Sequence, residues 1–139
     1  MRLVLDTNVL VSALLGIGSS SAQLLALWPR GRYQLLTADL QLEELRRVTR
    51  YPRIRKRLRP AHAGQLINAL YELAERVEHL PGVTTSLDPA DNVLLAIAQA
   101  GGADYLVSGD KRHLLALKRH GDTQIVTVRT MLEILEEHK

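Results

Sequence analysis

The 139-residue chain predicts an α/β protein, a three-layer α/β/α sandwich on a mostly parallel sheet of four to five strands. Three observations predict it. Apolar runs without polar interruption, such as Leu3-Val4-Leu5 and Tyr105-Leu106-Val107, suit strands buried on both faces. Segments of helical period separate these runs, so strands and helices alternate. A composition of 46% hydrophobic and 24% charged residues, with no repeat or linker, suits a single domain with a sizeable core, read here over 1–139.

The elements follow in order. Arg2 to Leu5 is the first strand and ends in Asp6-Thr7-Asn8; Asn8 to Leu15 reads as a helix. Gly16 to Ser21 is a loop whose serines cap a helix running to about Pro29. Tyr33 to Thr37 is the second strand, and a helix from Ala38 to Thr49 follows, ended by Pro52. Pro60 opens a helix with Leu66, Leu70, Leu73 and Val77 at helical spacing. The two long helices are expected to form a projecting hairpin around 38–80. Asp88-Pro89 is a capped helix start, and Gly101-Gly102 stops that helix. Tyr105 to Val107 is a strand, Lys111 to Lys118 a helix, Ile125 to Val128 a last strand and Met131 to Glu137 a last helix.

Several functions are excluded at once. Without cysteine there is no disulfide, thiolate metal site or cysteine nucleophile. No apolar run approaches the ~18–20 residues of a membrane helix, and no secretory signal is visible, so the expected location is the cytoplasm. The Gly16-Ile17-Gly18 stretch lies too far past the first strand for a dinucleotide fingerprint and lacks its third glycine. There is no phosphate-binding loop and no nucleophile elbow. Asn8 stands where an aspartyl-phosphate enzyme needs a second acid. The five histidines show no metal-ligand spacing.

The net charge of +3 hides an uneven distribution. Arg46, Arg47, Arg50, Arg53, Arg55, Lys56, Arg57 and Arg59 fall within fourteen positions that contain no acid. The remainder holds ten basic and fifteen acidic residues, an acidic body with one cationic segment. Such a segment suits a polyanion, because clustered cations release counterions from phosphates. It equally suits a solvated helix end. Tyr51, inside it, is either a base-stacking residue or a packing residue of the hairpin.

Ligands of open α/β sheets bind at the carboxyl ends of strands, where Asp6 and Asp110 lie. Asp91 heads the stripe Asp91, Leu94, Leu95, Ala98 and faces the core side, although alone it also reads as a carboxylate complementing a helix dipole. On the helix after the second strand, Glu44 lies ~40° from Val48 of the buried stripe and Glu43 ~140° away. Glu44 is thus at the edge of the buried face and Glu43 in solvent, although both also suit ordinary exposed carboxylates. Acids converging on one cleft resist ionisation unless a cation sits among them, and an oxygen-only set suits Mg²⁺ or Mn²⁺.

Four motifs carry a resemblance: Leu5-Asp6-Thr7-Asn8-Val9-Leu10-Val11-Ser12, Leu42-Glu43-Glu44-Leu45, Asp88-Pro89-Ala90-Asp91-Asn92, and Ala103-Asp104-Tyr105-Leu106-Val107-Ser108-Gly109-Asp110-Lys111-Arg112-His113-Leu114-Leu115. In this order they resemble the PIN domain family over essentially the whole chain, and within it the bacterial and archaeal toxins of toxin–antitoxin modules. The resemblance implies a metal-dependent ribonuclease with Mg²⁺ or Mn²⁺ as cofactor. Its metal-binding and catalytic acids would be Asp6, Glu44, Asp91 and Asp110, with Glu44 favoured over Glu43. Thr7, Asn8 and Ser108 would support the pocket. The substrate would be RNA, single-stranded or structured, its backbone gripped by Arg46, Arg47, Arg50, Arg53, Arg55, Lys56 and Arg57. The resemblance also implies an antitoxin protein as partner and a homodimer. The alternative is a non-catalytic module that holds RNA or protein on the same fold.

Overall fold

The computed structural model describes residues 1–16 and 18–138. Ile17, within the loop expected after the first helix, lies outside the described residues. Strand β1 (Arg2–Leu5) leads into helix α1 (Thr7–Leu15), then α2 (Ser20–Leu27), β2 (Gln34–Thr37), α3 (Asp39–Val48), the short α4 (Pro52–Arg55) and α5 (Pro60–Leu73). There follow β3 (Glu75–Arg76), α6 (Pro89–Gly101), β4 (Tyr105–Val107), α7 (Leu114–Leu117), β5 (Arg119–His120), β6 (Thr123–Val126) and α8 (Val128–Glu137).

The strands form one sheet in the order β3-β2-β1-β4-β6-β5. Every pairing is parallel except β5 with β6. β1 is central: Val4 stands opposite Leu36 of β2 on one side and Leu106 of β4 on the other. Side chains of a strand alternate between faces, and the core divides accordingly. Leu3 and Leu5 pack with Leu10, Leu24, Leu42, Leu70 and Met131 under one helical layer. Val4, Leu36 and Leu106 pack with Leu95, Ile97 and Leu114 under the other. The three-layer α/β/α arrangement on a mostly parallel sheet is therefore the one the alternation of elements predicts.

Among the described residues the sheet has six strands rather than four or five. The two extra strands have two residues each. The helix expected to include Val77 stops at Leu73, because Ala74 turns extended (ψ 152°) and Glu75 and Arg76 pair with Leu36 and Thr37 of β2. The Lys111–Lys118 helix shrinks to Leu114–Leu117, since the Asp110 carboxylate accepts the amides of Arg112 and His113 and holds the first residues as a turn. The last strand begins at Thr123, whose hydroxyl donates to the Ala103 carbonyl at 2.7 Å. The last helix starts early, at Val128, because Thr127 caps it through the Thr130 amide.

The two long helices α3 and α5 pack against each other, with α4 in the connection between them. The inner face of α5, through Leu66, Ile67 and Leu70, joins the core beside β1. Among the described residues no single helix is long and apolar enough to cross a membrane.

Candidate active site

The carboxyl ends of β1 and β4 lie side by side in the centre of the sheet, and each opens directly into an acidic turn. Asp6 leaves β1 in an extended conformation and caps α1, accepting the Asn8 amide at 3.1 Å through Oδ1. Its other oxygen accepts the Ser108 hydroxyl at 2.8 Å. Ser108 is fully buried just past β4, and its Oγ also accepts the Asp110 amide at 3.0 Å. One serine thus ties together the acids that end the two central strands.

Asp6 is 6% exposed. Burial, followed by the nearby charges of Glu44 and Asp110, pushes its carboxyl above the usual range, against the lowering effect of the Ser108 and Asn8 bonds. Asp91 is equally buried and sits in the first turn of α6. Burial, together with the charges of Asp88, Asp110 and Asp6, pushes it up to about 6, although Ser86 donates its hydroxyl to it at 3.2 Å. Asp88 itself is the exposed cap of α6, accepting the Ala90 amide at 2.9 Å.

Glu44 is half-buried on α3, and Glu43 is exposed. A cavity of about 250 Å³ between α3 and the start of α6 is lined by both glutamates together with Arg47, Pro89 and Ala90. Asp6 therefore lies in the electrostatic field of Glu44, Asp110 and Asp91, which arrive from three different elements. Thr7 is buried beneath the site beside Gln41, and Asn8 is exposed and contributes its backbone amide to the Asp6 turn.

Three further polar residues shape the site, and two of them, Gln41 and Ser86, have no signal in the sequence pattern. Gln41 of α3 is buried, accepts the Thr37 hydroxyl and donates to the Leu5 carbonyl, both at 2.7 Å, so it fixes the end of β1. Ser86, which holds Asp91, is itself bracketed by Asn92, whose amide accepts from the Ser86 nitrogen at 2.8 Å and donates to its carbonyl at 2.9 Å. Only the D-P-A-D-N run hinted at Asn92, and nothing marked the loop serine.

A carboxylate has about four lone-pair directions, and Asp6 commits two of them to Asn8 and Ser108. The donors are all oxygen, which suits a hard ion. Among the described residues no three His, Cys, Asp or Glu side chains lie close enough to enclose a bare ion. Mg²⁺ keeps several of its waters and is commonly held by one or two carboxylates, so the set fits a hydrated ion.

Of the basic segment, Arg47 lines the cavity that holds Glu43 and Glu44. Arg46 is half-buried, 5.9 Å from the centre of the Tyr71 ring. Arg47, Arg50, Arg53, Arg55, Lys56 and Arg57 are exposed, as is Tyr51 at 47%, which does not pack away against the helices.

A family model described as PIN domain matches residues 2–112. No curated protein matches the chain.

Proposed function

Because this chain belongs to the PIN domain family, whose fold is of nuclease type and whose members typically use divalent metal ions, we propose that it is a Mg²⁺- or Mn²⁺-dependent endoribonuclease. One observation carries the reading: buried Asp6, at the end of the central strand, lies within the field of Glu44, Asp91 and Asp110. Burial of Asp6 and Asp91, with these charges added, disfavours their ionised forms, and a bound cation would offset that cost.

In this reading Asp6 and Asp91 would hold the ion, and Asp110 and Glu44 would complete its surroundings or orient the attacking water by hydrogen bonds. The ion, when bound, lowers the pKa of water and offsets charge on the scissile phosphate. Ser108 is a positioning residue: its hydroxyl keeps Asp6 oriented and favours its ionised form. Arg47 lines the same cleft as Glu44 and stands ready for a flanking phosphate. The cationic segment from Arg46 to Arg57 grips the RNA backbone. The proposal extends to a toxin role within a toxin–antitoxin module, to an antitoxin partner and to a homodimer, all resting on the resemblance of the motifs.

A second reading, a non-catalytic fold that holds RNA or protein, is favoured by the loose spacing of the acids. One experiment separates the two. Purified protein is incubated with single-stranded and structured RNAs in Mn²⁺, Mg²⁺ or chelator, beside Asp6→Asn. Cleavage that needs metal and is lost in Asp6→Asn is expected. RNA left intact under every condition, or cut equally by the variant or in chelator, points to the binding module or a contaminant.

A further inference from the structure

Away from the acids, a second cavity of about 330 Å³ opens between α3, α4 and α5. Its rim carries Arg46, Arg50 and Arg55, and its floor includes the buried side chains of Leu58 and Ile67. Among the described residues none of these three arginines pairs with a carboxylate; the ion pairs there join Arg2 to Glu75 and Arg76 to Asp39. Three guanidiniums without a carboxylate partner, Arg46 also lying over the Tyr71 ring, stand around an apolar floor and match a ligand that is anionic at one end and flat and apolar at the other.

The cavity and Glu44 of the acidic site share helix α3. Glu44 and Arg47 on α3, and Arg50 in the turn just past its end, are three apart, so they form one diagonal row. Glu44 and Arg47 line the cavity between α3 and the start of α6, and Arg50 lines the arginine cavity. The row advances about 9 Å along the axis, on the order of two or three stacked nucleotides.

We propose that this cavity is a nucleotide subsite for the RNA strand cut in the acidic cleft. Arg46, Arg50 and Arg55 bind a phosphate, the base lies on Leu58 and Ile67, and Arg47 guides the intervening backbone. The identity of the ligand as RNA rests on the ribonuclease reading; the cavity does not. The subsite gives the enzyme a preference for a base at a fixed distance from the cut, which a cationic strip alone lacks.

Gly64 provides the test. It lines the cavity on α5, is exposed, and beyond its own helix backbone no atom lies within 4 Å of where its Cβ would stand. Gly64→Leu therefore fills the cavity while keeping every arginine and improving helix propensity. Binding of a labelled single-stranded oligoribonucleotide, and of the same strand with one abasic position, is measured without metal in the Asp6→Asn background. Loss of catalysis then leaves the readout untouched.

Gly64→Leu is expected to weaken intact RNA about tenfold, the contribution of one well-seated base, and to leave the abasic strand unchanged. Arg46→Gln/Arg50→Gln/Arg55→Gln should weaken both strands and reduce the salt slope by about two. Arg53→Gln/Arg57→Gln, outside the cavity, should lower both affinities without changing their ratio. Equal affinities of intact and abasic RNA for the parent, or intact RNA unaffected by Gly64→Leu, overturns the subsite. If instead an acidic amphipathic peptide binds and loses affinity in Gly64→Leu while RNA does not, the cavity belongs to a protein partner and the proposal fails.

Discussion

Asp91 holds its carboxyl in a place that disfavours its charge, and that has a consequence for stability. Its pKa rises from 3.8 to about 6 in the folded protein. Below pH 3.8 the group is protonated in both folded and unfolded chains and contributes nothing. Between 3.8 and about 6 the unfolded chain releases a proton that the folded one keeps, so stability falls as pH rises, and above 6 the full penalty remains. The loss is at most about 3 kcal/mol. Asp6 shifts in the same direction and adds to it. In chelator, urea unfolding of the parent is expected to show a lower midpoint at neutral pH than at pH near 4.5, and Asp91→Asn a shallower dependence with a higher midpoint at neutral pH. A parent midpoint that rises over that range contradicts the burial of these acids. The strand-end acids were legible in the sequence because a buried strand leaves its next residue at the sheet's carboxyl edge. Asp91 was ambiguous because a helix cap and a ligand occupy the same first turn. Ser86 was invisible because its bond to Asp91 depends on how a loop folds back, which no periodicity encodes.

Two glycines in helices show how an element's surroundings decide the sign of one substitution. Gly64 lies within α5 with open space around its Cβ position, so Gly64→Ala removes backbone freedom from the unfolded chain without a clash. It is expected to stabilise by about 0.5–1 kcal/mol. Gly101, at the end of α6, would put its Cβ at 2.8 Å from Leu36 Cδ1 and 3.0 Å from Val77 Cγ2. Gly101→Ala should destabilise by about 1–3 kcal/mol despite the same gain in propensity. Chemical denaturation of both variants checks the pair, and a shift of the same sign in each would contradict the close packing of α6 on β2. The same contrast explains which elements could be read in advance. β1, β2 and β4 announce themselves because burial on both faces demands continuous apolar residues. β3 and β5 are two exposed or half-buried residues apiece, Glu75-Arg76 and Arg119-His120, and only their neighbours in the sheet make them strands. The helix beyond Asp110 was overestimated because the local pattern does not reveal a carboxylate capturing the amides of its own turn.

Over the whole molecule, the division of charge sets up a conflict that the metal is proposed to resolve. In the proposed nuclease the cationic segment would attract RNA, while the acids at the end of β1, in α3 and at the start of α6 would repel the phosphates that must reach them. Without metal, neutralising one of those acids should therefore strengthen RNA binding even though it abolishes cleavage. Like charges a few ångströms apart in water repel by about 1 kcal/mol, so Asp6→Asn and Asp91→Asn are each expected to bind labelled RNA about fivefold more tightly than the parent in chelator at low salt. Over the Debye length of ~10 Å at 0.1 M ionic strength the repulsion is screened, and the difference should shrink as salt rises. With Mg²⁺ the order should level or reverse, because the parent acquires a bound positive charge where the variants lack a ligand. Fluorescence anisotropy on a cleavage-resistant oligonucleotide reads all three conditions. A parent that binds as tightly as the variants in chelator, and does not respond to Mg²⁺, would mean that RNA does not approach these acids. The nuclease reading would then fail whatever the cationic segment binds.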